Sequence, residues 1–162
     1  MSPTAPPENT ANLTRAVFLL ACAAFASALS FRLCDPFLSA LAGTFHVRIG
    51  EAASVITAFL IVYGAMQLAV GPLGDRFDRY RLIAYATLGC TLGSLGAALA
   101  PTLNWLLAAR VLTAIFSAGV ISVGLAWIAD RVPLAERQKI LARFLSGQIF
   151  GMVSGQVIGG IF

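Results

Sequence analysis

Three ionisable residues stand inside stretches that otherwise carry no charge. Arg32 and Asp35 close a run that begins at residue 16, and Arg110 separates the runs 82–109 and 111–129. A charged side chain in a bilayer costs at least ~2.5 kcal/mol, so it persists where it faces a cavity or an opposite charge. A carboxylate and a guanidinium at one depth make a proton-handling pair: the arginine keeps its proton, while the carboxylate's hold on a proton changes with its distance from that charge. Asp35 lies twenty residues after Arg15, about 30 Å along a helix rising 1.5 Å per residue. Arg110 opens a later apolar run, so the two depths match. Arg32 offers a second reading, in which it neutralises Asp35 three residues away within its own helix. Tyr63, Gln67 and Gln148 are polar residues on neighbouring runs, suited to completing a cavity or to gluing helices together.

The elements that position these residues are membrane helices. The chain is 59% hydrophobic and 11% charged, with a mean hydropathy of +0.86, whereas soluble domains are about a quarter charged. Runs without Asp, Glu, Lys or Arg cover 16–31, 52–74, 82–109, 111–129 and 144–162, and a crossing needs about 20 apolar residues. Pro101 and Asn104, beside Trp105, split the longest run. The expected fold is an all-α membrane protein with spans at about 16–42, 52–74, 82–100, 105–129 and 140–162. Residues 1–15, Pro-rich and polar, are expected to form a disordered cytoplasmic tail. The net charge of +4 comes from short clusters between apolar runs, which excludes a nucleic-acid-binding face. Cys22, Cys34 and Cys90 lie in apolar segments without ligand spacing, and His46 is the sole histidine. No metal, cofactor or disulfide framework is expected, and no nucleophile–base pair suggests an enzyme.

Positive charge sets the orientation. With residues 1–15 inside, the inner side holds Arg15, Arg76, Arg79, Arg81, Arg131, Arg137, Lys139 and Arg143, and the outer side holds Arg48. That bias predicts a multi-pass protein of the cytoplasmic membrane with a cytoplasmic N-terminus and an outer C-terminal end. Arg15, "AVFLLACAAFA" and "ASA" at 26–28 imitate a signal peptide. The polar leader before them and the continuation into "FRLCDPF" favour an uncleaved first helix.

The stretch "GPLGDRFDRYR", residues 71–81, gathers five charges. Gly71 and Pro72 are expected to end the second helix, with the third span starting at Leu82. As composition alone, the cluster is a positive-inside anchor. Its spacing resembles the major facilitator superfamily signature between helices two and three, G-x-L-a-D-r-x-G-r-[RK]-[RK], with Gly71, Leu73, Gly74, Asp75, Arg76, Arg79 and Arg81 on matching positions. Asp78 stands where a glycine is usual and Tyr80 where a base is usual. "RVLTAIFSAG" is similar to the family's R-x-x-q-G pattern, with Arg110 retained and Thr113 and Ala114 substituted. "ADRVPLAER" resembles the fourth-to-fifth loop, with Asp130 and Arg137 in place. The resemblance covers residues 15–162 and is nearest to bacterial proton-coupled exporters of drugs and small metabolites. It implies that Asp75, Arg79, Arg81 and Asp130 belong to a cytoplasmic gate that forms in one state and breaks in another.

Gly147, Gly151, Gly155 and Gly159, with Gly160 beside the last, form a stripe of small residues at four-residue spacing. Such a stripe lets two membrane helices approach closely. It also resembles the antiporter signature G-x-x-x-G-P-x-x-G-G, with Gln156 in the proline's position. The combined expectation is five helices of a six-helix N-terminal bundle, truncated before helix six, from a secondary transporter. The implied activity is proton-coupled export of a small organic molecule, with the lipid bilayer, a substrate, protons and a missing C-terminal half as partners. The alternatives are a non-transporting scaffold that binds a partner through the stripe, and a uniporter or symporter of the same superfamily.

Overall fold

The computed structural model describes residues 7–161, with side chains from residue 12 onward except those of Leu73 and Asp75. It contains six helices: α1 (Pro7–Arg32), α2 (Leu38–Thr44), α3 (Ile49–Arg76), α4 (Arg79–Ala98), α5 (Leu103–Arg131) and α6 (Leu134–Ile161). Four of them, α1, α3, α5 and α6, are long and apolar enough to cross a bilayer. The 20-residue α4 opens on Arg79 and Arg81 and runs along α5.

Proline positions correct several expected boundaries. The tail expected over 1–15 is helical from Pro7, because the first helical position has no use for the N–H that proline lacks; residues 1–6 lie outside the described residues. The first span does not run unbroken to 42. Its helix stops at Arg32, since Pro36 pushes the preceding residue out of the helical region, and the chain resumes as the short α2. In contrast, Gly71 and Pro72 do not end α3, which continues to Arg76 with Pro72 inside it. The proline forfeits one bond, to the carbonyl of Leu68, and Leu68 is 83% exposed. The third span begins at Arg79 rather than Leu82, because Asp78 caps α4: its Oδ1 accepts from the Arg81 amide at 2.9 Å. Only Phe77 and Asp78 therefore separate α3 from α4.

α5 is the central helix. Thr113, Ala114, Ser117, Ala118 and Ile128 are fully buried, and α3, α4 and α1 pack around it. Small and hydroxyl residues permit this closeness. The Ser27 hydroxyl donates to the Ser117 carbonyl at 3.4 Å, Cys90 Sγ lies 3.2 Å from Ser117 Oγ, and Ser30 and Ser94 hydroxyls are 3.3 Å apart. Phe59, Phe144 and Ile128 are the large side chains enclosed within the bundle, while many others face outward, among them Phe18, Leu68, Tyr85, Phe150 and Ile161. A fine-grained interior with an apolar exterior is the arrangement helices adopt in lipid, where no hydrophobic force draws them together.

The stripe on α6 meets α1. A methyl group at Gly147 would lie 2.9 Å from the Ala21 carbonyl oxygen, at Gly155 2.7 Å from that of Leu29, and at Gly159 2.8 Å from that of Leu33; Gly151 faces the Phe25 carbonyl more closely still. Both helices advance by four residues together, so α1 and α6 run parallel. Ser27 and Ser30 meet Ser117 and Arg110 in the opposite sense, so α1 and α5 are antiparallel.

Candidate functional site

The break at Pro36 also creates a binding point. A helix leaves its last carbonyls without partners, and Ser30 lies in the final turn of α1. Arg110, on α5 and only 4% exposed, donates its Nη1–H to the Ser30 carbonyl at 2.6 Å. A guanidinium at a helix C-terminus also opposes the negative end of the dipole. Its carbon sits 4.1 Å from the ring centroid of Phe59, within cation–π range. Its Nε is buried and makes no hydrogen bond.

Phe59 belongs to an aromatic triangle. Phe31 meets Phe59 edge-on at 5.5 Å and Tyr63 edge-on at 5.3 Å, while Phe59 and Tyr63 are stacked at 6.0 Å. Tyr63 and Phe59 are four residues apart on α3 and so share a face. Arg32 lies over the Phe31 ring at 5.5 Å and holds Asp35 Oδ2 at 3.0 Å. Asp35 is therefore bonded to Arg32, three residues away, and not to Arg110, although it is within electrostatic reach of that guanidinium. Gln67, one turn beyond Tyr63, accepts a hydrogen bond from the Ser122 hydroxyl at 2.5 Å; it ties α3 to α5. Gln148 is half-buried beside Gly147, at the level of Ala21 on α1. That is nine residues, or about 13 Å, from Ser30, so Gln148 stands apart from the Arg110 group. Sequence reasoning missed Phe31 and Phe59.

A second constellation gathers at the opposite end of the bundle. Arg79 donates through Nε to the Gly74 carbonyl at 3.3 Å and through Nη1 to the Ala126 carbonyl at 3.0 Å. The same Nη1 contacts the Asp130 carboxylate. One guanidinium thus ties the C-terminal ends of α3 and α5 to the start of α4. Arg137, from α6, completes the clasp by donating Nη2 to the carbonyls of Ala129 at 2.5 Å and Val132 at 3.3 Å. Arg76 and Arg81 are exposed, and the side chain of Asp75 lies outside the described residues. Gly71 is exposed and a methyl group there would meet nothing, while at Gly74 it would make ordinary contact with Val123. A hollow of about 310 Å³ opens beside the clasp, lined by Phe77, Asp78, Arg79, Trp127 and Asp130 among others. Arg137 was legible as a motif position, but its role as a clamp on α5 was not.

Among the described residues no group of His, Cys, Asp or Glu could hold a metal ion. A buried arginine held by a helix end and an aromatic ring, within a bundle of membrane-length apolar helices, fits a multi-pass membrane protein. The profile of the Major Facilitator Superfamily matches residues 20–162, and the chain belongs to that family. The riboflavin transporter RibZ of Clostridioides difficile is 28% identical over 123 residues, which cover 75% of this chain and 26% of RibZ. A triacylglyceride transporter of Mycolicibacterium hassiacum is 34% identical over 112 residues, 69% of this chain and 21% of that protein. The crystal structure of a bacterial homologue of the human lysosomal transporter Spinster shares the fold, with a TM-score of 0.82 at 20% identity over 98% of this chain and 32% of that one. The chain spans about a third or less of the length of these relatives.

Proposed function

We propose that this chain is the N-terminal portion of a proton-coupled secondary transporter that exports a small organic molecule by alternating access. The observation that carries the reading is Arg110: a buried guanidinium in an apolar helix, bound to the broken end of α1, with one donor unpartnered. Such a group is expensive to keep unless it serves a pathway. Asp35 is the carboxylate placed to load and release a proton, and Arg32 is its partner in the state described here. Protonation of Asp35 would free Arg32, loosen the break at Pro36 and alter the hold of Arg110 on Ser30. At the other end, the ties of Arg79 and Arg137 to α5 would form the cytoplasmic latch, made of part-solvated contacts weak enough to reverse. Export, rather than uptake, rests on the glycine pattern of α6 and its likeness to antiporter sequences. The scaffold alternative draws no support from that stripe, because α1 occupies it.

In the full-length transporter, Asp35→Asn is expected to abolish transport driven by a pH gradient while leaving substrate binding measurable. Arg110→Lys is expected to keep part of the activity, retaining the charge but not the planar fork. Normal gradient-driven transport by Asp35→Asn would return the carboxylate to the role of local counter-charge for Arg32.

A further inference from the structure

Beyond Gly147, toward the start of α6, the parallel helices α1 and α6 border a hollow of about 480 Å³ whose lining includes Val17, Phe18, Ile140, Glu136, Lys139 and Arg143. Its wall is apolar and continuous with the outward surface, since Phe18 is 67% exposed. Its rim carries two cations on one helical face, Lys139 and Arg143, four residues apart, with Glu136 one turn nearer the start of α6. Both cations are exposed, and neither is paired with Glu136 or with any other acid among the described residues.

We infer that this hollow holds one anionic glycerophospholipid, of the phosphatidylglycerol type, as a site distinct from the Arg110 group. The charge pattern supplies the argument. One phosphodiester neutralises the surplus of a single positive charge left by Lys139, Arg143 and Glu136. The headgroup hydroxyls donate to Glu136, and the acyl chain runs along Phe18 and Val17. Basic pockets between helices at a membrane surface select lipid headgroups in this way. A free phosphate would gain nothing from the apolar wall. The inference requires only that the chain lies in a membrane, and it stands apart from the transport reading.

The test is native mass spectrometry of the purified full chain, delipidated and then titrated with phosphatidylglycerol in detergent. The unaltered chain is expected to retain one phosphatidylglycerol, and the double variant Lys139→Gln/Arg143→Gln to bind it about thirtyfold more weakly. Arg15→Gln/Arg131→Gln, the same charge change at exposed positions outside the hollow, is expected to bind as the unaltered chain does. An equal loss in that control would reduce the effect to general surface attraction and overturn the site. So would undiminished binding by the Lys139/Arg143 variant, displacement of the lipid by inorganic phosphate alone, or a dimer whose formation needs both cations. Helical content and melting of each variant, read by circular dichroism, are expected to match those of the unaltered chain.

Discussion

Arg110 is fixed by three features that lie far apart in sequence. Pro36 ends α1 and exposes the Ser30 carbonyl, Phe59 supplies the ring beneath the guanidinium, and the fine-grained face of α5 lets the side chain reach both. Phe59→Leu keeps most of the apolar volume but removes the ring. It is expected to lower stability by about 1–2 kcal/mol, read as an earlier midpoint in denaturant unfolding of the purified chain. Phe150→Leu, on the exposed surface, is expected to leave the midpoint in place. Arg110 and Asp35 were legible in the sequence because a charge in an apolar run is rare and costly. Phe59 and Phe31 were not, since they are two of eleven phenylalanines and nothing local marks a ring that serves a cation. The only signal was the four-residue spacing of Phe59 and Tyr63. Arg32 as the partner of Asp35 was one of the two readings of the sequence; the structure has that pair at 3.0 Å, in the turn that follows α1 and not within an unbroken first span.

Helix pairing in this bundle depends on which residues are small. The carbonyl oxygens of Ala21, Leu29 and Leu33 approach α6 so closely that any β-carbon at the facing glycines would overlap them. Backbone cannot yield as a flexible side chain can, so overpacking here is expected to cost about 1–3 kcal/mol per site. Gly151→Ala should therefore unfold at lower denaturant than the unaltered chain. Gly160→Ala, where a methyl group would meet nothing within 4 Å, should stay within about 0.5 kcal/mol of it. Matching losses at the two positions would show that the cost is general to the helix and that the stripe is not a contact. The stripe itself was visible as a pattern, and packing on a neighbour was one of its readings; that the neighbour is α1, in parallel, was not visible. Helix ends were the least legible feature. Pro36 lies in the turn between α1 and α2, where it bars the preceding residue from the helical region, whereas Pro72 stands inside α3 with only one turn left to disturb.

At the scale of the whole molecule, the five long helices α1, α3, α4, α5 and α6 alternate in direction, and the basic residues collect at one end. The clasp of Arg79, Asp130 and Arg137 lies there, with exposed Arg76, Arg81 and Lys139 around it. The pair formed by Arg79 and Asp130 is part-solvated, so Asp130→Asn should cost less than about 1 kcal/mol of stability. Within the full-length transporter the same change should reduce transport far more than it reduces folded protein. Equal losses of both would make the clasp a brace and not a latch. The asymmetry of charge also carries a topological prediction, because Lys and Arg near the ends of spans are retained on the cytoplasmic side. α3 ends and α4 begins at the basic end, whereas Gly159 near the end of α6 faces Leu33, beyond the far end of α1. A reporter active only in the cytoplasm should then be active when fused after Asp78 and silent when fused after Phe162. Exchanging Arg76, Arg79 and Arg81 for glutamine should weaken this contrast without reversing it, since Arg131, Arg137, Lys139 and Arg143 remain on the same side. Activity after Phe162 with silence after Asp78 would invert the bundle and place the clasp outside, where it could not act as a cytoplasmic gate.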